Sequence, residues 1–168
     1  MDIEELVEIV ETMALQHSYP GYDVRSLKLG LPASAVNAPV KVFVAALSQD
    51  SVVVILAALR WFWDRPGVAR RHASVIASCL DHQDEWVRLE AVRTIGRVGQ
   101  VDDRLAVRLS ERLEDTDVEV KKAAAQAIGK LGCQGEQVVA SLRRATGDPD
   151  IQVKWKAEKA LRKLGQYA

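Results

Sequence analysis

Three histidines, two cysteines and a recurring aspartate are the side chains of this sequence best suited to chemistry. A metal ion would need two ligands on one helical face, at i and i+4, or a His/Cys set at ligand spacing. His17, His72 and His82 offer no such pair, and His72 and Cys79 stand two helical turns apart, too far to chelate one ion unaided. Cys79 and Cys133 lack Cys-x-x-Cys spacing, which points to free, buried thiols in a reducing compartment. Phosphate binding would use Gly-x-x-x-x-Gly-Lys-Ser/Thr or Gly-x-Gly-x-x-Gly, and neither occurs. No serine sits in a nucleophile–base motif. Asp84, Asp115, Asp117, Asp148 and Asp150 suit helix caps and turns better than acid catalysis. No catalytic residue, metal site or cofactor is expected.

A different kind of chemistry, stacking on a ligand, is suggested by "LRWFWDRPGVARR", residues 59–71, where Trp61, Phe62 and Trp63 stand in a row. Whether they bind or merely pack depends on the elements that carry them. The chain of 168 residues is the length of one domain, with 48% hydrophobic and 27% charged residues, ordinary for a globular protein. Its 23 basic and 23 acidic residues cancel, so no overall field draws it to nucleic acid or membrane. The distribution is uneven: residues 1–24 hold six carboxylates and no Lys or Arg, whereas residues 143–168 hold seven bases and three acids. The acidic N-terminus does not read as a signal peptide, and no apolar run approaches membrane-spanning length. A cytoplasmic location is expected.

Self-similarity sets the elements. "DEWVRLEAVRTIGRVG" from Asp84, "DVEVKKAAAQAIGKLG" from Asp117 and "DIQVKWKAEKALRKLG" from Asp150 begin 33 residues apart. They share Asp, then Val at +3, a base at +4 (Arg88, Lys121, Lys154), Ala at +7, aliphatics at +11 and +14, and Gly at +15 (Gly99, Gly132, Gly165). Another step back, "SVVVILAALRWFWDRP" from Ser51 keeps Val54, Ala58 and Phe62 but lacks the closing Gly. On a helical wheel Val87, Ala91, Thr94, Ile95 and Val98 form one apolar stripe, capped by Asp84 at one end and ended by glycine at the other. Between these helices "VKVFVAAL", "VARRHASVIASCL", "DRLAVRLSERL" and "EQVVASLRRA" read as partner helices. One such hairpin cannot bury its apolar face alone, so the hairpins must stack.

The frame resembles the HEAT repeat, in particular the short phycobilisome-lyase HEAT-like form, over roughly residues 39–165. The resemblance implies an all-α, right-handed α-α superhelix, a HEAT-like α-solenoid of about four helical hairpins. Their bounds are about 39–66, 67–99, 100–132 and 133–165. Residues 1–38 lie outside the match and read as an N-terminal capping helix, about 3–16, and a loop over 18–38, all within one structural domain. The resemblance further implies that second helices line the concave side, and that Arg88, Lys121 and Lys154 pair with loop acids of an adjoining repeat. The His-Glu pairs of di-iron HEAT-repeat hydroxylases are missing. In this register Phe62 aligns with Ile95 and is core, and Trp61 aligns with Thr94 on the buried side. Trp63 aligns with Gly96 and Gly129, and the unmatched N-terminal segment is its expected cover, with ligand stacking as the alternative.

The solvent side of each second helix then carries Trp86, Leu89, Glu90, Arg93 and Arg97; Glu119, Lys122, Ala123, Gln126 and Lys130; Gln152, Trp155, Lys156, Lys159 and Lys163. Stacking aligns Arg60, Arg93, Gln126 and Lys159 in one column and Asp64, Arg97, Lys130 and Lys163 in the next. Bases at helix C-termini also arise from dipole matching on any solvated surface. Large aromatics on such a face mark contact sites, Trp86 more than Trp155, which would instead cap the last repeat. The expected function is a non-enzymatic protein-binding scaffold or adaptor gripping an acidic segment of another protein, including an inhibitor or immunity-type partner. A bilin lyase-like subunit, holding tetrapyrrole propionates with Arg93 and Lys130 beside a partner chain, is the alternative that the resemblance implies. A HEAT-like nucleic-acid-binding protein is the third, disfavoured by neutral net charge and acids within the strip. No membrane partner is expected.

Overall fold

The structure, a computed structural model, describes residues 1–16 and 31–166. Most of the expected loop at 18–38, and His17, therefore lie outside the described residues; its last part holds one short helical turn, Ala33–Val36. Every regular element among the described residues is helical. The α-helices are, in order, α1 (Ile3–Gln16), α2 (Ala33–Val36), α3 (Val40–Ala46), α4 (Val52–Trp63), α5 (Pro66–Arg71), α6 (Ala73–Ser78), α7 (Glu85–Ile95), α8 (Asp103–Glu111), α9 (Val118–Leu131), α10 (Glu136–Ala145) and α11 (Ile151–Lys163), with short 3-10 turns at Cys79–Asp81 and Arg112–Glu114. No helix among them is long and apolar enough to cross a membrane.

The second helices stack in the order α4, α7, α9, α11, each packed on the next, while α3, α5 with α6, α8 and α10 cover them from one side. Val87, Val120 and Val153 are fully buried, as are Phe62, Ile95 and Ile128, so the apolar stripe faces inward in every repeat. Asp84 accepts from the amides of Trp86 and Val87, Asp117 from Val120, and Asp150 from Gln152 and Val153, at 2.8–3.3 Å. Gly99, Gly132 and Gly165 have φ of 86°, 72° and 69°, the left-handed region that lets the chain leave each helix. The first helix of the second hairpin departs from expectation: it breaks at His72, where φ is −116° and ψ 18°, giving α5 and α6. The His72 ring lies 6.0 Å from that of Phe62 at this bend.

Ion pairs tie successive repeats. The Arg88 guanidinium donates to both carboxylate oxygens of Asp115 at 2.8 Å, and Lys121 Nζ donates to Asp148 at 2.8 Å, one repeat on. Lys154 departs from the expected pairing: it holds the same register on α11 but makes no ion pair with an adjoining repeat among the described residues, and acts on Asp148 of its own repeat only through its charge. Asp115 and Asp148 also accept from the amides of Asp117 and Asp150 at 2.9 Å. His82 occupies the matching position one repeat earlier, and its Nδ1 accepts from the Asp84 amide at 3.0 Å. Its role is that of a turn residue. Cys79 and Cys133 are free and buried; burial pushes the Cys79 thiol up to about 11 and raises that of Cys133.

At the N-terminal end α1 lays Leu6, Val10 and Ala14 against α3 and α4. The aromatic residue that meets this end of the molecule is Trp61, not Trp63. Its indole stacks on Phe43, with centroids 4.1 Å apart at 12°, and its Nε1 donates to the Val36 carbonyl at 2.9 Å.

Candidate binding groove

Close packing of the second helices dictates which side chains can reach their outer face. A Cβ placed on Gly96 would stand 3.0 Å from that of Ala127, and one on Gly129 would stand 3.1 Å from Ala160. The position is therefore small wherever the next helix follows closely. In α4 it is occupied by Trp63, and the position on the next helix that corresponds to Ala127 is Thr94 rather than Ala. An indole has no room in such a seam, and the Trp63 ring is turned out, 37% exposed, with the Arg97 guanidinium stacked 3.8 Å from its centroid. The expected cover by the N-terminal segment is thus corrected: Trp63 belongs to the outer face of the stack.

That face is an open trough of about 410 Å³ running over α4, α7, α9 and α11, lined by Trp63, Arg93, Gly96, Arg97, Glu119, Lys122, Ala123, Gln126, Ala127, Lys130, Gln152 and Lys156. A recess of about 220 Å³ continues it between α9 and α11, adding Lys159 and Lys163 to the lining. Several bases are already held in place. Arg93 donates to Glu90 at 3.0 Å, Lys122 to Glu119 and to Gln152 (2.9 Å), and Lys156 to Gln126 at 3.0 Å. Lys159 stands 4.9 Å over the Trp155 ring, and Lys156 5.4 Å from it. Lys130 and Lys163 are exposed and make no ion pair among the described residues.

Three of the expected strip residues turn elsewhere. Leu89 is 5% exposed, because it shares with Val92 and Gly96 the side of α7 that packs on α9. Trp86 lies half-buried against the core, on the side of α7 that faces α4, with the 8%-exposed Glu90 and with Thr94, whose hydroxyl donates to the Leu59 carbonyl at 3.2 Å. Arg60 is half-buried too; burial lowers its pKa, against the opposing charge of Glu90. Of the two tryptophans expected on the strip, the one that reaches solvent is Trp155, 50% exposed, which holds the register of Leu89 on α11. The emphasis on Trp86 over Trp155 is accordingly reversed. A second recess, about 500 Å³, lies on the first-helix side between α5, α6 and α8, where Arg70, Arg71, Arg104 and Arg108 meet Asp102. Sequence reasoning passed over it because first helices lack the periodic frame. No group of three metal-ligating side chains occurs among the described residues.

Comparison with known proteins places this architecture. Residues 105–168, most of the third hairpin and all of the fourth, match the family model of HEAT repeats. No curated protein matches the chain. Among solved structures it is similar to an engineered protein with 22% identity and a TM-score of 0.62, covering 96% of this chain and 78% of that one. A second engineered protein has 20% identity and a TM-score of 0.61, with 98% and 50% covered. A designed armadillo repeat protein in complex with peptide (KR)4 has 17% identity and a TM-score of 0.62, with 97% and 69% covered. The fold is a HEAT/armadillo-like α-solenoid.

Proposed function

We propose that this protein is a non-enzymatic binding module whose trough over α4, α7, α9 and α11 grips an acidic segment of another protein. The observation that carries the reading is the state of the bases: Lys122 and Lys156 line the trough and are braced across the α9–α11 seam by Gln152 and Gln126. Braced cations lose less side-chain entropy when an anion arrives. Exposed Trp63 and Trp155 add the aromatic surface that binding sites favour. A designed armadillo protein of similar fold is complexed with the basic peptide (KR)4; the face described here is itself mostly basic, so its complement is acidic. The phycobilisome-lyase form of the repeat, which the Asp-x-x-Val-base frame resembles, belongs to the same proposal. Titration with a glutamate-rich peptide, followed by tryptophan emission, tests the reading. Arg97→Glu combined with Lys130→Glu is expected to weaken binding about tenfold or more while leaving the thermal midpoint nearly unchanged. Equal binding by the double variant would exclude this face.

A further inference from the structure

We propose that the trough reads charge order along a polyproline-II segment, with an acid at every third residue. The inference rests on the groove reading above and specifies the segment it takes. The two columns of the face differ in a way that composition does not reveal. In the inner column Arg60 is half-buried near the charge of Glu90, and the others are engaged within the protein: Arg93 by Glu90, Gln126 by Lys156, Lys159 by the Trp155 ring. The outer column, Asp64, Arg97, Lys130 and Lys163, is exposed throughout; Arg97 lies on Trp63, and Lys130 and Lys163 make no ion pair among the described residues. Those three cations are one repeat apart, Arg97 in the turn just after α7 and Lys130 and Lys163 in the last turns of α9 and α11; these helices are in direct contact, and contacting helices lie about 8–10 Å from axis to axis.

A polyproline-II chain repeats every three residues and rises about 3.1 Å per residue, so every third side chain returns to the same face about 9 Å further on. A β-strand does not, because residues three apart point to opposite faces. Such a segment needs no hydrogen bonds of its own, and its prolines dock on aromatic surfaces, which Trp63 and Trp155 supply near either end of the trough. Asp64 sets the register. Sliding the acids one repeat toward α4 would put a carboxylate over Asp64, so the fourth position takes a base. Asp64 and Glu119 also oppose a uniform polyanion such as single-stranded nucleic acid.

The test compares Lys-Pro-Pro-Glu-Pro-Pro-Glu-Pro-Pro-Glu with a peptide of the same composition whose acids stand at every second position. Three further probes are used: a flexible Gly/Ser peptide of equal charge, a helical peptide with acids at i and i+7, and oligothymidylate. The matched peptide is expected to bind about fivefold tighter than the every-second control by calorimetry. Lys130→Glu should abolish that preference, and replacing the central Glu of the peptide by Lys should restore it. Equal affinity for both stiff peptides, a preference that survives Lys130→Glu, or tighter binding of the helical peptide or the oligonucleotide would overturn the inference. If the flexible acidic peptide binds as well as the matched one, the groove reading stands and the spacing falls; if no probe binds, both fall.

Discussion

Arg88 donates along one edge to Asp115 and, through Nη1, to the carbonyls of His82 and Gln83 at 2.9 Å, so its five N–H donors are nearly all engaged. Its side chain is 10% exposed and that of Asp115 is 2% exposed, so the pair is shielded from water and from salt. Removing one partner strands the other charge, whereas replacing both by apolar groups does not. Asp115→Ala is therefore expected to cost about 3 kcal/mol in urea unfolding, and Arg88→Met with Asp115→Leu to recover much of it. A double variant as unstable as Asp115→Ala would show that the carboxylate acts mainly through its bond to the Asp117 amide. At this scale the sequence was partly legible. The capping aspartates and left-handed glycines announce themselves, because their chemistry is local. The bond from Arg88 spans 27 positions and followed only from the resemblance, while the capping role of His82 became visible only in the turn.

Between elements, the decisive quantity is how closely adjacent second helices approach. Gly129 is buried, and a Cβ there would meet both Cα and Cβ of Ala160 at 3.1 Å, backbone that cannot swing aside. Gly129→Val is expected to force α9 and α11 apart and lower stability by about 2 kcal/mol, read as a fall in thermal midpoint. The same change at Gly67, which has nothing within 4 Å of a Cβ, should cost much less. This spacing also decides what the periodicity could not. The wheel separates core from solvent but not the flanks of a stacked helix, which is why Leu89 and Trp86 were assigned to the open face and lie in the seams instead. Trp155, the register mate of Leu89, is open because among the described residues no further second helix packs on that side of α11. Arg93, Arg97, Gln126, Lys130, Lys159 and Lys163 sit where the wheel puts them, since that arc is solvent-facing in the second, third and fourth repeats. The break at His72 carries no glycine or proline signal and was not legible.

For the whole molecule, the repeat-to-repeat ion pairs make stability depend on pH in a defined direction. Burial pushes the Asp115 carboxyl up, but the hydrogen bonds from Arg88 and the Asp117 amide, with the charges of Arg88 and Arg112, outweigh it and leave the pKa lowered. Asp148 is likewise raised by burial and brought below its ordinary value by Lys121, the Asp150 amide and the charge of Lys154. A carboxyl whose pKa is lower in the folded than in the unfolded chain binds fewer protons when folded. Its stabilisation is complete above the unfolded value, about 3.9, and is lost as pH falls through the folded one. Both groups sit at seams, one between the second and third repeats and one between the third and fourth, and a stack of repeats holds together through such neighbour contacts. Asp115→Asn with Asp148→Asn keeps an oxygen for each capping bond while removing the charge. The double variant is expected to be less stable than the parent at pH 7, with the gap closing as pH falls below about 4, where the parent's own carboxylates take up protons. Denaturant midpoints measured from pH 7 to pH 2 decide it: a gap that stays constant over that range would mean that the seams are held by packing alone.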